Sequence, residues 1–119
     1  MTAGVALFGM ASQGVDAAPA RNALVCQFYT KLDGLSGTLA AGAATVVREW
    51  TTGCPGAVMT SAGVGIVILE RLDGGRWSEV GRGISVNVTG QPAGTYRLRV
   101  YNQNFSPMNY RVRLMYGIS

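Results

Sequence analysis

The feature that most constrains the fold is the division of the chain, after Arg21, into short runs of β-forming residues. Glycine, proline and Asp-Gly pairs separate the runs, as in chains built from many short strands. No window of helical length keeps a 3.6-residue hydrophobic period, and only residues 40–47 approach one. The predicted strands cover residues 24–31, 35–39, 43–51, 57–61, 64–69, 76–80, 83–89, 95–101 and 110–116.

This pattern predicts an all-β chain forming a single antiparallel β-sandwich of eight or nine short strands, with a jelly roll as the alternative. Residues 64–69 are almost entirely apolar, which indicates a central strand covered on both faces. Residues 83–89 alternate instead, which places Ile84, Val86 and Val88 inside and the residues between them outside. The length allows one domain with its own core, which we place at residues 21–119.

Residues 1–20 differ from the rest of the chain. An apolar stretch is followed by small residues and Ala18-Pro19-Ala20, the pattern of a signal-peptide cleavage site. The stretch is too short to span a bilayer, so we expect no membrane partner. The segment is either a secretory signal or a retained extended arm whose Val5, Leu7 and Phe8 would contact a partner.

The composition argues against catalysis. The chain has no histidine, which excludes Ser-His-Asp and Cys-His arrangements, imidazole bases and most catalytic zinc sites. The six acidic residues form no recognisable motif, and Glu70 and Asp73 resemble the flanks of a turn. We therefore expect a protein that is not an enzyme and has no cofactor and no metal.

The two cysteines predict the compartment. Cys26 and Cys54 fit no metal-binding or redox spacing, and an even pair in a chain with a signal-like start favours one disulfide over two buried thiols. We therefore expect a secreted, extracellular protein.

The C-terminal part resembles a known group of sandwiches. Ser36–Leu39, Gly42, the run from Pro92 to Tyr101 (PAGTYRLRVY) and Tyr110–Leu114 are similar to the prepeptidase C-terminal (PPC) type of β-sandwich. Because many sandwiches with unrelated functions share such a run, the resemblance implies the fold and no specific activity. The acidic cluster by which some of these domains bind calcium is missing here.

A second resemblance rests on size, composition and the N-terminal segment. Small, Arg-rich, Ala/Gly-rich secreted sandwiches with an arm are similar to the adaptor subunits of the umbrella toxin particles of soil bacteria. This resemblance implies a subunit that joins other proteins of an extracellular toxin complex.

The outward residues of the last two predicted strands form the strongest candidate binding surface. If residues 95–101 and 110–116 pair as a hairpin, Arg97, Arg99, Arg111 and Arg113 share one face beside Tyr101. Like charges opposite one another are unfavourable, so an acidic partner, a carboxylate of the fold or solvent must offset them. Guanidinium groups bind carboxylates in a bidentate manner, and a net charge of +4 favours anionic partners.

These observations predict a non-catalytic adaptor that binds another secreted protein through an acidic surface, or through a groove that accepts the arm. Nucleic acid is not expected, because only one basic residue is lysine and the aromatic residues do not interleave with the basic ones. A carbohydrate-binding domain, a virion decoration protein and an extracellular protease inhibitor remain the alternatives.

Overall fold

A computed structural model describes Cys26 and residues 28–118. Val5, Leu7, Phe8 and the whole of residues 1–20 lie outside the described residues. Among the residues that the structure describes, no helix is long and apolar enough to cross a membrane. Eight strands make up the structure: β1 (Phe28–Leu39), β2 (Ala44–Thr52), β3 (Gly56–Ala62), β4 (Ile66–Asp73), β5 (Arg76–Gly83), β6 (Ser85–Gln91), β7 (Gly94–Tyr101) and β8 (Met108–Ile118).

The strands form two four-stranded antiparallel sheets that pack face to face. The first sheet has the order β1-β8-β3-β6 and the second has the order β2-β7-β4-β5. Every connection except that between β4 and β5 crosses from one sheet to the other, which is the strand order of a jelly roll. The predicted all-β sandwich is confirmed, and its topology is the jelly-roll alternative.

The core lies between the two sheets and follows the predicted alternation. Tyr96, Leu98 and Val100 of β7 are buried, as are Val112 and Leu114 of β8. Near the β2–β3 turn the Trp50 ring stacks on two tyrosine rings, with centroid distances of 4.6 Å to Tyr116 and 5.7 Å to Tyr96. Trp50 is therefore a core residue.

The strand predicted at residues 64–69 is shifted to β4, Ile66–Asp73, with Val64 in the preceding loop, but the centre of β4 is covered on both faces as expected. Val67 and Leu69 point into the core, while Ile68 alternates to the outer face and is still only 3% exposed. The β4–β5 hairpin turns at Gly74 and Gly75, whose φ angles of 57° and 81° suit a tight turn with two left-handed residues.

Two local predictions are wrong. Residues 35–39 do not form a strand of their own: they continue β1, and Asp33-Gly34 is an irregularity in the pairing with β8 rather than a turn. Ile84 is 66% exposed because it links β5 to β6 across the two sheets, where its carbonyl accepts a hydrogen bond from the Ala62 amide.

The predicted hairpin of the last two strands is the main error. β7 lies between β2 and β4 in the second sheet, whereas β8 lies between β1 and β3 in the first. Both strands thus have ladder partners on both edges, which a two-stranded hairpin could not supply. The four arginines accordingly lie on opposite outer faces of the sandwich and do not form one patch.

The predicted disulfide is confirmed. Cys26 is bonded to Cys54 with a Cα–Cα distance of 5.3 Å, within the range that a disulfide allows. The bond ties the chain just before β1 to the turn between β2 and β3. Because such bonds persist in oxidising compartments, it indicates an extracellular or periplasmic location.

Candidate functional site

The outer face of the second sheet holds Arg97 and Arg99, where both contact one carboxylate of the fold. Both are next to Glu70 of β4, which pairs with Arg97 in the strand register. The Arg97 Nε lies 2.6 Å from Glu70 Oε1, and the Arg99 Nη1 lies 3.4 Å from Glu70 Oε2. The Glu70 side chain is only 11% exposed. A carboxylate of the fold therefore offsets this half of the arginine set.

Trp77 adjoins the cluster of Arg97, Arg99 and Glu70. The Arg97 guanidinium carbon lies 4.3 Å from the centre of the Trp77 ring, which is the geometry of a cation–π contact. Beside it Glu79 and Arg82 form a separate surface pair at 2.8 Å, and the Arg82 guanidinium lowers the pKa of the Glu79 carboxyl. The charges of this face are largely paired within the protein.

The outer face of the first sheet carries a groove of about 420 Å³. Its floor is built from cross-strand rows, because the register aligns the outward residues of neighbouring strands. One row runs across all four strands through Lys31, Met115, Met59 and Asn87. The next row contains Arg113, Ser61 and Ser85, with Asp33 at its β1 side.

The groove continues towards Arg111. A second depression, of about 300 Å³, is lined by Arg111, Arg113 and Ser61 and thus adjoins the first. We call the combined surface of Lys31, Arg111, Arg113, Met59, Met115, Asn87, Ser61 and Ser85 the cationic groove.

The positive charges of the cationic groove are only weakly compensated. Asp33 lies 3.8 Å from Arg113, and the two side chains are 68% and 77% exposed. Arg111 Nε donates to the backbone carbonyl of Asp33 at 3.3 Å rather than to a carboxylate. Among the described residues no carboxylate lies within 4 Å of Lys31 or Arg111 (Arg113 has Asp33 alone).

The cationic groove combines cationic side chains with an apolar floor. Arg111 and Arg113 present guanidinium donors suited to carboxylates, while Met59 and Met115 form an adaptable apolar floor between them and Lys31. In the part of the chain that the structure describes, no group of three metal-binding side chains occurs.

The remaining predicted site residues have different surroundings. Tyr101 ends β7, half-buried between Ala44 and Ile66 on the second sheet, and so lies apart from the cationic groove. In the PAGTY run, the Tyr96 hydroxyl donates to the Pro92 carbonyl, which gives this motif a structural role at the start of β7.

Sequence reasoning missed both Glu70 and most of the cationic groove. Glu70 was interpreted as a turn flank, but it lies inside β4, one strand away from Arg97. Lys31, Met59, Met115 and Asn87 come from four strands that are far apart in sequence. Each strand shows which of its residues point outward, but only the strand order places these four side by side.

Comparison with known proteins supports the fold and no more. The chain matches no protein-family model and no curated protein. It is similar to the mitogen from Yersinia pseudotuberculosis, with a TM-score of 0.54, 14% identity and coverage of 77% of this chain and 86% of that one. It is also similar to PliG, a periplasmic inhibitor of g-type lysozyme from Aeromonas hydrophila, with a TM-score of 0.49, 12% identity and coverage of 73% and 82%. At these identities the likeness to the mitogen shows the fold alone, and the PliG score carries no argument.

Proposed function

We propose that this protein is a secreted, non-catalytic interaction module that binds an acidic segment of another secreted protein in the cationic groove. The observation that carries the proposal is the contrast between the two faces of the sandwich. Arg97 and Arg99 both pair with the buried Glu70, whereas among the described residues Arg113 has only the exposed Asp33 and no carboxylate lies within 4 Å of Arg111 or Lys31.

The surroundings of the groove favour a protein ligand. Aspartate or glutamate carboxylates of an extended segment could accept hydrogen bonds from Arg111 and Arg113, and its aliphatic stems would contact Met59 and Met115. Asn87, Ser61 and Ser85 add neutral hydrogen-bonding groups along the same floor. An adaptor role in an extracellular toxin complex, as the resemblance to umbrella-particle adaptors implies, would use such a surface.

A titration with a hexaglutamate peptide tests this proposal, read by NMR of selectively labelled methionine methyl groups. We expect the Met59 and Met115 signals to shift, while Met108, which is buried in the core, provides an internal reference. Replacing both Arg111 and Arg113 with Gln should weaken binding about tenfold and flatten its dependence on salt.

The matched control is the double variant Arg48→Gln/Arg76→Gln. It removes the same charge from two exposed arginines outside the cationic groove. Equal losses in the two double variants would mean that only net charge matters, and would contradict the proposal. Shifts of Met59 and Met115 with an oligogalacturonate but not with hexaglutamate would favour the carbohydrate-binding alternative instead.

A further inference from the structure

Four connections meet at one end of the sandwich, and none of them contains a charged residue. They are the β1–β2 turn (residues 40–43), the β3–β4 loop (63–65), Ile84 between β5 and β6, and the β7–β8 loop (102–107). Three contacts join them. The Gly42 amide donates to the Asn102 carbonyl, the Ala62 amide donates to the Ile84 carbonyl, and Gly65 lies against the Tyr101 carbonyl.

Three of these connections each present an exposed apolar side chain. Phe105 is fully exposed, Ile84 is 66% exposed and Val64 is 46% exposed. We call these three residues the apolar tip. Exposed apolar residues are common singly, but here three are carried by loops that meet at one end of the sandwich and contain no charged residue.

The longest of these loops has part of its backbone satisfied by one buried side chain. The buried Asn102 side chain donates through Nδ2 to the carbonyls of Leu39, Ala40 and Ser106 and accepts from the Asn104 amide through Oδ1, at 2.9–3.2 Å. Backbone groups that already have partners lose little when water is removed, whereas unpaired ones make entry into an apolar phase costly. For the Asn104 amide and the Ser106 carbonyl, this cost is already offset within the protein.

We propose that the apolar tip inserts shallowly into the headgroup region of an anionic lipid bilayer. The tip is made of separate loop ends and projects Phe105, so it suits a soft, continuous apolar phase. Positive charge near the tip is complementary to an anionic lipid surface. Arg111 lies next to the β3–β4 loop, since its carbonyl accepts a hydrogen bond from the Gly63 amide. The whole chain has a net charge of +4.

This binding differs from a membrane span, for which the N-terminal apolar stretch is too short. Binding to the membrane surface needs a few apolar side chains at the same depth in the bilayer and cationic side chains at the depth of the headgroups. It does not need a segment of membrane-spanning length. It shares Arg111 with the cationic groove, but its test changes Phe105, which lies outside that groove, and leaves Arg111, Arg113 and Lys31 intact.

Co-sedimentation of the full chain with vesicles tests the proposal. We expect binding to vesicles of phosphatidylcholine mixed with phosphatidylglycerol, and weaker binding to phosphatidylcholine alone. Phe105→Ala should lower the partition coefficient about tenfold, since it removes one aromatic side chain from the interface. Phe28→Ala is the matched control, because Phe28 is 63% exposed but begins β1 at the opposite end. Absence of binding, or equal losses in the two variants, would overturn the proposal.

A spectroscopic variant gives an independent measurement. In Phe105→Trp, the added tryptophan should shift its emission to the blue on mixing with the anionic vesicles and should be quenched by brominated lipid. Wild-type spectra provide the background of Trp50 and Trp77. If the emission does not change, or if sedimentation without lipid shows a dimer that Phe105→Ala dissociates, the tip contacts water or a second copy and the proposal fails.

Discussion

Arg97 and Glu70 lie on neighbouring strands, with Nε and Oε1 2.6 Å apart, and this pair determines which arginines remain available to a partner. Glu70 also lies near Arg99, so one carboxylate serves two guanidinium groups on the second sheet. On the first sheet, the exposed Asp33 is the one described residue whose carboxylate contacts Arg113, and Arg111 bonds to the Asp33 backbone carbonyl instead. We therefore expect Arg97 and Arg99 to stabilise the fold rather than to bind a partner.

Replacing Glu70 with Gln should lower the free energy of unfolding by about 2 kcal/mol, because it leaves Arg97 and Arg99 as adjacent uncompensated charges on a poorly exposed site. Urea denaturation measures the change. Glu79→Gln is the control, since its pair with Arg82 lies at the surface and should matter much less. Equal effects of the two variants would show that Glu70 is not the structural partner of these arginines.

Arg97→Gln and Arg113→Gln should affect stability differently although the chemical change is the same. Arg97 loses its bond to Glu70 and its contact with Trp77, which together should cost about 1–3 kcal/mol. Arg113 is 77% exposed and should leave the thermal midpoint unchanged. The contrast is measured by parallel thermal and urea unfolding, and a larger loss for Arg113 would reverse our assignment of the two faces.

Removing the disulfide with Cys26→Ser/Cys54→Ser should lower the free energy of unfolding by about 3 kcal/mol. The bond closes a loop of 28 residues and so restricts the unfolded chain. Urea denaturation of the oxidised protein, the reduced protein and the double variant measures the effect. Reduced protein and double variant should agree, and a reductant that leaves the midpoint unchanged would mean that the bond adds no stability.

Asn102→Ala should lower the free energy of unfolding by about 3 kcal/mol, because the fully buried amide serves three carbonyls and one backbone amide. Asn104→Ala is the control, because the Asn104 side chain is exposed and the bond to Asn102 is donated by the Asn104 backbone amide, which alanine keeps. Hydrogen exchange should show faster exchange in residues 103–106 of the Asn102 variant only. Unchanged exchange in residues 103–106 would contradict the inference that the Asn102 side chain stabilises this loop.

The protein should lose stability at high pH in part through Tyr96. Burial raises the pKa of the Tyr96 hydroxyl above its ordinary value of 10.0. The stabilising contribution is therefore complete below about pH 10, where the folded and unfolded chains both hold the proton, and it declines as the pH rises towards the folded pKa. Tyr96→Phe should be less stable at neutral pH, because it loses the bond to Pro92, but its urea midpoint should fall less steeply above pH 10. An identical alkaline slope in wild type and variant would contradict this prediction.

The sequence alone determined the strand content, most of the strand positions and which side chains of β7 and β8 point into the core. These follow from local causes: residues 95–101 alternate because successive side chains of a strand point to opposite faces, and Gly74-Gly75 turns because both positions need left-handed φ angles. The disulfide was also predictable, since the chain has only two cysteines.

Only the tertiary structure decided which outward residues meet. β7 and β8 are consecutive and both carry alternating arginines, yet the jelly-roll crossing sends them to different sheets. Strand pairing depends on ladder partners and burial summed over the whole sandwich, which no local pattern encodes. The topology therefore decides three arrangements that the individual strand patterns do not predict. It places Glu70 beside Arg97, aligns Lys31 with Met115, and brings Val64, Ile84 and Phe105 to one end of the sandwich.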